Sequence, residues 1–137
     1  MQYIVFTLGK TYYGIATDEV EEIAKTFSST PVPQSPTWAA GLINLRGQIM
    51  TLVNFDNLLN PTQDTHEVCY NNTIIAHVGE GKIALMVDTV IGVFSVEKED
   101  IQSIEAGNQG AVTALFPANG QIVSAIDLNG LFVENEG

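Results

Sequence analysis

An internal repeat limits the possible folds of this chain more than any other feature of the sequence. When residues 47–59 (GQIMTLVNFDNLL) are moved forward by 73 positions, they align with residues 120–132 (GQIVSAIDLNGLF). A second alignment, at a shift of 70 positions, places Gly9 on Gly79 and Asp18 on Asp88. The two shifts are nearly equal and follow the same order, so they indicate one structural unit that is used twice.

Each copy of the unit is predicted to consist of short strands joined by turns. Residues 2–8 and 12–16 are rich in β-branched and aromatic types, and residues 73–78 and 83–87 repeat this pattern. Asn119–Gly120 is a strong signal for a two-residue hairpin. Only single helical turns are expected between these strands. The sequence therefore predicts an all-β fold made of two small barrels.

The chain is expected to form one domain, residues 1–137, with two lobes. Its length is ordinary for a single domain, and 45% apolar residues suffice for a core. Residues 60–72 (NPTQDTHEVCYNN) are polar and rich in turn formers. We take them as the connector between approximate lobes at residues 1–60 and 73–137.

A helical turn is predicted after the first strand pair. Asp18 is a suitable N-cap, and the acidic residues that follow it would complement the positive end of a helix. Val20 and Ile23 would then share one face. The pattern leaves open whether these two side chains are core residues or exposed contacts for a partner. Asp56 is expected to cap a final turn of the first copy in the same way.

Arg46 is the only arginine in the chain, and it stands beside Gly47 between two apolar runs. Glycine tolerates backbone angles that are closed to other residues, so the pair predicts a tight bend between two strands. Arg46 could be a solvated turn residue. It could equally present its charge at an edge that a partner reaches.

The charge of the chain restricts its partners. The formal net charge is −11, with five lysine and arginine residues in total. Nucleic acids are bound by neutralising phosphates with such residues, so neither nucleic acid nor an anionic membrane surface is an expected partner. No apolar run approaches the roughly 18 residues of a membrane span, and no secretory leader is expected. Cys69 is the single cysteine, which fits a reducing cytosol. A protein or peptide partner is favoured.

No enzyme, cofactor or metal site is expected. His66 and Cys69 have an H-x-x-C spacing, but with His77 they still fall short of the four ligands of a structural zinc. The carboxylates occur in runs typical of solvated surfaces. Gly79 and Gly81 lack the third glycine and the helix of a dinucleotide-binding loop.

Taken together, the motifs resemble the CheW-like domain, the adaptor module of bacterial chemotaxis arrays. The matching motifs run almost from end to end: FTLG and YGI in the opening strands, VEEI at 20–23, P-x-P-x-x-P at 31–36, G-x-x-NLRG at 41–47, VD-x-V at 87–90 and ID-L at 126–128. The resemblance implies two five-stranded β-barrel subdomains. It also implies a non-catalytic cytoplasmic adaptor, recruited to receptor arrays at the inner membrane. Its partners would be the cytoplasmic tips of chemoreceptors and the regulatory domain of the chemotaxis histidine kinase.

The resemblance also implies roles for individual residues. Val20, Glu22 and Ile23 would lie where the family meets the receptor helical hairpin. Arg46 would be the motif arginine that signalling assembly requires. A further pair, Val87 and Val90, would border the groove between the lobes from the second barrel.

Three positions depart from the family pattern and leave the identity of the partners open. Thr51 and Asn54 stand where proline and aspartate are usual, and Ala84 replaces a common glycine. Two alternatives follow. One is a paralogue that serves twitching motility or another non-flagellar pathway. The other is a stand-alone β-barrel module that binds a peptide or a small ligand, with a likeness of fold alone.

Overall fold

The fold was analysed in a computed structural model, which describes residues 1–59, 70–104 and 112–135. Its strands are β1 (Gln2–Leu8), β2 (Thr11–Ala16), β3 (Val20–Ala24), β4 (Ala39–Leu45), β5 (Gln48–Asn54), β6 (Asn72–Val78), β7 (Gly81–Val87), β8 (Thr89–Ser95), β9 (Gln102–Ser103), β10 (Val112–Ala118) and β11 (Gln121–Ile126). Two short α-helices, α1 (Phe55–Leu59) and α2 (Leu128–Asn135), follow β5 and β11, and 3₁₀ turns lie at Thr17–Glu19 and Lys98–Asp100. The predicted all-β fold with a few short helical turns is confirmed.

The strands form two sheets. Sheet I has the order β8-β1-β2-β11-β10-β9, and sheet II has the order β3-β6-β7-β5-β4. Neighbouring strands are antiparallel except at β2–β11 and β5–β7, which are parallel. The predicted five-stranded barrels correspond to these sheets, with the two-residue β9 added to sheet I. Among the described residues, strand pairing does not close either sheet into a barrel.

The predicted duplication is visible in the register of the strands. Leu52 lies opposite Ala84 at one parallel joint, and Ala125 lies opposite Gly14 at the other. Leu52 and Ala125 are equivalent by the shift of 73 positions, and Gly14 and Ala84 are equivalent by the shift of 70 positions. The irregularity of β4 between Ala39 and Gly41 likewise recurs in β10. Two copies of one unit therefore build the molecule.

The two copies exchange their first hairpins. β1 and β2 belong to the first copy, but they lie between β8 and β11 of the second. In return, β6 and β7 of the second copy lie between β3 and β5 of the first. The lobes drawn at residues 1–60 and 73–137 thus match the repeats, but neither repeat forms a sheet alone. Residues 60–69 of the connector lie outside the described residues.

Three apolar cores hold the sheets together. A shared core lies between the sheets, with Phe6 and Ile15 from sheet I facing Val53 and Leu85 from sheet II. Because successive side chains of a strand point to opposite faces, the other faces form two further cores. Sheet I encloses a cluster that includes Val5, Phe116 and Val123, and sheet II encloses one that includes Ile43, Leu52 and Ile75. The exchanged hairpins are therefore buried on both faces.

Residues 20–24, predicted as part of a helical turn, form a strand instead. The 3₁₀ turn ends at Glu19, and β3 then pairs with β6. An irregularity between Val20 and Glu22 adds one residue to β3, so Val20 and Ile23 still share a face, opposite Ala76 and Ile74. The acidic residues that suggested a helix were outweighed by the backbone hydrogen bonds of the ladder.

The predicted cap of α1 was also wrong. Asp56 lies inside the helix and is buried. The side chain of Asn54 accepts a hydrogen bond from the backbone N–H of Asn57 at 3.2 Å, so Asn54 caps the helix.

A backbone contact joins the segment after β3 to the opposite edge of sheet II. Thr30, in the segment after β3, exchanges two backbone hydrogen bonds of 2.9 Å with Leu42 of β4. Since β3 and β4 are opposite edges of the sheet, this segment spans from one edge to the other. Gly41 permits the approach, because a Cβ atom at this position would lie 2.5 Å from the Thr30 carbonyl oxygen, and its φ is +150°.

We expect Gly41→Ala to lower the free energy of unfolding by about 3 kcal/mol, because it adds both a steric clash and backbone strain. Urea denaturation monitored by circular dichroism would measure the loss. Gly120→Ala is the control: its φ is also positive, but no atom lies within 4 Å of the added Cβ. A loss of only about 1–2 kcal/mol is expected there from strain alone. Equal losses in both variants would show that the contact at Thr30 is unimportant.

Candidate functional site

The site is organised around the turn that joins β4 to β5. Arg46 has φ = 51° and Gly47 has φ = 85°, and Leu45 lies opposite Gln48. Positive φ at both central residues defines a type I′ turn, whose twist matches that of the flanking strands. The side chain of Asn44 accepts a hydrogen bond of 2.9 Å from the Gly47 N–H. The bend predicted from the sequence is confirmed.

Arginine is an unfavourable residue for this turn. The equivalent turn of the second copy has Asn119 at φ = 53° and Gly120 at φ = 72°. Asparagine tolerates the left-handed region, whereas a long side chain costs roughly 1 kcal/mol there. The same backbone is thus built in the second copy by a better-suited residue. The backbone of the turn therefore does not account for an arginine at position 46.

Arg46 forms an ion pair with Glu22 of β3. The guanidinium Nη2 donates to the Glu22 carboxylate, although the arginine side chain remains 67% exposed. An ion pair as exposed as this one contributes about 0–1 kcal/mol to stability. Because β3 and β4 are the two edge strands of sheet II, this ion pair links the two edges of the sheet. Sequence reasoning missed this contact, since the partners are 24 residues apart and no spacing rule links them.

Val20 and Ile23 differ in whether they are core residues or exposed side chains. Val20 is half-buried and packs against the shared core. Ile23, on the same face one step further along the edge strand, is 42% exposed. The structure thus brings Glu22 of the edge strand β3 against Arg46 from the opposite edge of sheet II, and Ile23 follows Glu22 in β3. We call these three residues the edge site.

Val87 and Val90 do not belong to the edge site. Val87 is fully buried in the shared core, because β7 is covered by a neighbouring strand on each side and by packed side chains on its faces. The resemblance implied that Val87 borders the groove between the lobes; its side chain is not exposed, and a role in partner binding stays a prediction. Val90 lies on β8, opposite Phe6 of β1, and is half-buried against the shared core. It is the repeat equivalent of Val20.

Exposed apolar side chains recur at equivalent positions of the two copies. Ile49 on β5 is 65% exposed and its equivalent Ile122 on β11 is 63% exposed. Val93, the equivalent of Ile23, is also exposed. Sequence reasoning missed Ile49 and Ile122. The signal was present, because they alternate with the buried residues that follow them in β5 and β11. The two copies thus expose apolar side chains at equivalent positions.

A second group of charges lies beside the edge site. Glu21, the extra residue of the irregularity in β3, lies 2.7 Å from the Lys82 ammonium and 3.9 Å from His77 Nε2. The hydrogen bond from Lys82 lowers the pKa of the Glu21 carboxyl. The charges of Lys82, His77 and Arg46 also lower this pKa. Glu21 is therefore engaged within the chain, and its neighbour Glu22 pairs with Arg46.

Two other features, a metal-binding cluster and a membrane-spanning helix, are absent from the described part of the chain. There, no group of three or more histidine, cysteine, aspartate or glutamate side chains is arranged to hold a metal ion. His66 and Cys69 lie outside the described residues. Of the described helices, none has the length and apolar character needed to cross a membrane.

The chain was compared with known proteins. The model of the CheW-like domain family matches residues 2–136. The Chemotaxis protein CheW of Treponema pallidum (strain Nichols) is 30% identical over 105 residues, which cover 74% of this chain and 62% of that protein. The match therefore spans less than two thirds of that relative. The crystal structure of the scaffolding protein TtCheW from Thermoanaerobacter tengcongensis is similar with a TM-score of 0.84 and 25% identity, over 96% of this chain and 91% of that chain.

A larger protein also contains a similar segment. The Chemotaxis protein CheA of Borreliella burgdorferi (strain ATCC 35210 / DSM 4680 / CIP 102532 / B31) is 29% identical over 89 residues. These residues cover 65% of this chain but 10% of that protein. A segment similar to about two thirds of this chain is therefore a small part of that longer protein.

We expect Arg46→Asn to leave the free energy of unfolding unchanged or to raise it by up to about 1 kcal/mol, because the relief of strain offsets the lost ion pair. The reverse change in the second copy, Asn119→Arg, is expected to lower it by about 1 kcal/mol. Thermal and urea denaturation of both variants would check this. A large loss in Arg46→Asn would mean that the ion pair is a major support of the fold.

Proposed function

Because this chain belongs to the CheW-like domain family, we propose that it is a non-catalytic adaptor that couples chemoreceptors to a chemotaxis-type histidine kinase. It acts in the cytoplasm and is recruited to receptor arrays at the inner membrane. The observation that carries the proposal is Arg46, which a turn unsuited to arginine holds at the surface in an ion pair with Glu22, the residue before the exposed Ile23. A residue kept at such a cost is typical of functional sites.

The edge site is suited to the side of a helix. Ile23 offers an apolar anchor on an edge strand, and the preceding residue, Glu22, carries a charge that is paired with Arg46. Protein interfaces commonly combine an apolar centre with a polar rim, and helices dock through apolar residues spaced three or four apart. We assign the receptor tip to Ile23 and Glu22, with the half-buried Val20 supporting them from the shared core.

The kinase is expected to dock through a domain similar to this one. The similarity to a segment of a CheA protein supports this idea, because that segment matches 65% of this chain. Arg46 lies at the tip of the β4–β5 hairpin, and Ile49 is exposed on the strand that leaves it. We assign the kinase contact to this tip. Each such contact is small, on the order of 1,000 Å² or less, so that single affinities are modest and avidity in an array adds to them.

The receptor contact is tested by Ile23→Asp. Ile23 is exposed, so the variant is expected to keep its melting temperature within about 2 °C while its capture by a purified receptor tip fragment falls at least tenfold. The matched control is Thr113→Asp, which adds the same charge at an exposed position of β10. Unchanged capture by Ile23→Asp, or an equal loss in the control, would remove Ile23 from the receptor contact.

The kinase contact is tested by Arg46→Asn, which preserves the turn. We expect a folded variant that no longer activates the kinase in an array reconstituted from receptor, kinase and adaptor, because the guanidinium is lost from the hairpin tip. Lys10→Asn is the control, since it removes one positive charge from an exposed hairpin turn elsewhere. Full kinase activation by Arg46→Asn would contradict the assignment.

A further inference from the structure

The β1–β2 hairpin belongs to the first copy of the repeat but lies in the sheet of the second copy. Both strand neighbours of the β1–β2 hairpin, β8 and β11, belong to the second copy of the repeat. Strand β1 pairs with β2 from Tyr3 to Leu8 and with β8 from Gln2 to Thr7. The hairpin is thus a piece of one repeat that completes the sheet of another.

The covalent connection between this hairpin and its own repeat is short. β2 ends at Ala16 and β3 begins at Val20, so that only the 3₁₀ turn Thr17–Glu19 leads from sheet I to sheet II. None of the three residues of this turn is fully buried. Extending it would separate the hairpin from the rest of its repeat without breaking any strand pair inside the hairpin.

The turn Thr17–Glu19 contains an acidic side chain that is unfavourably buried when the hairpin packs within its own chain. The Oε2 atom of Glu19 is buried and has no hydrogen-bond partner among the described residues. Burial raises the pKa of the Glu19 carboxyl, and the nearby charges of Asp127 and Asp18 raise it further. Burial also raises the pKa of Tyr3 of β1, and the nearby charge of Glu19 raises it further. A buried polar atom without a partner destabilises the state that buries it, and an extended connection would return Glu19 to water.

We propose that the β1–β2 hairpin, residues 2–16, also exchanges between two copies of this chain and forms a dimer. Each hairpin then lies between β8 and β11 of the partner, where it makes the same strand pairs and the same core contacts as in the monomer. The two forms differ at the connection Thr17–Glu19 and in the entropy of association, which is the usual condition for hairpin or domain swapping. The edge site lies outside the hairpin, so the dimer carries two complete edge sites.

Engineered disulfides distinguish the two forms. Gln2 of β1 lies directly opposite Ser95 of β8, and both side chains are exposed. Facing residues of paired strands are close enough for a disulfide. In a Cys69→Ser background, one chain carries Gln2→Cys and another carries Ser95→Cys. The two are unfolded, mixed, refolded together at high concentration and oxidised, and the products are separated on a non-reducing gel.

The proposal predicts a covalent dimer of the two single variants, at least tenfold more abundant than from a control mixture of Gln2→Cys and Thr113→Cys, because β1 and β10 are not neighbours. Inserting three glycines after Asp18 lengthens the connection and is expected to shift the product toward monomer. Sedimentation of the unsubstituted chain, refolded in the same way, must also reveal a dimer. Cross-linking no greater than the control, or the absence of a sedimenting dimer, overturns the proposal.

Discussion

The shared core between the two sheets is the interaction on which the rest of this structure depends. It exists because each repeat gives its first hairpin to the other, so that Phe6 and Ile15 of the first copy stand against Val53 and Leu85. Phe6 and Phe55, for example, stack with ring centroids 5.8 Å apart. Neither repeat could bury both faces of a hairpin by itself. The exchange thus turns two small sheets into one body with three cores, and it fixes the edges of sheet II where the edge site lies.

The rigidity of this body determines what the edge site can do. Arg46 stands on a two-residue turn, which leaves its backbone little freedom. The backbone contact between Thr30 and Leu42 joins the two edges of sheet II, and the ion pair places Glu22 against the Arg46 side chain. A partner that binds there meets a surface that is already ordered, and less conformational entropy is lost on binding. An adaptor needs this property, since it must transmit the position of one partner to another without chemistry of its own.

Much of the fold could be predicted from the sequence, because strands and turns are encoded by neighbouring residues. The shifts of 70 and 73 positions matched the strand registers at both parallel joints, and the bend at Arg46 was correct. The exchange of hairpins could not be predicted, because similarity between repeats does not say which repeat receives a given strand. The helical turn predicted around Val20 failed for a related reason: the ladder with β6 is a long-range interaction. The burial of Val87 and the pairing of Glu22 with Arg46 depend on the same long-range packing.

The two copies of the repeat keep the same exposed apolar residues but differ in their charges. Ile23 corresponds to Val93 and Ile49 to Ile122, and all four are exposed. The charged pair has no counterpart, because Glu22 corresponds to Gly92 and Arg46 to Asn119. Apolar area contributes to affinity with little selectivity, whereas charges distinguish one partner from another. Duplication alone would have produced two interchangeable surfaces. The ion pair in the first copy makes them different, so the surface that carries Glu22 and Arg46 can select partners that the equivalent surface of the second copy does not.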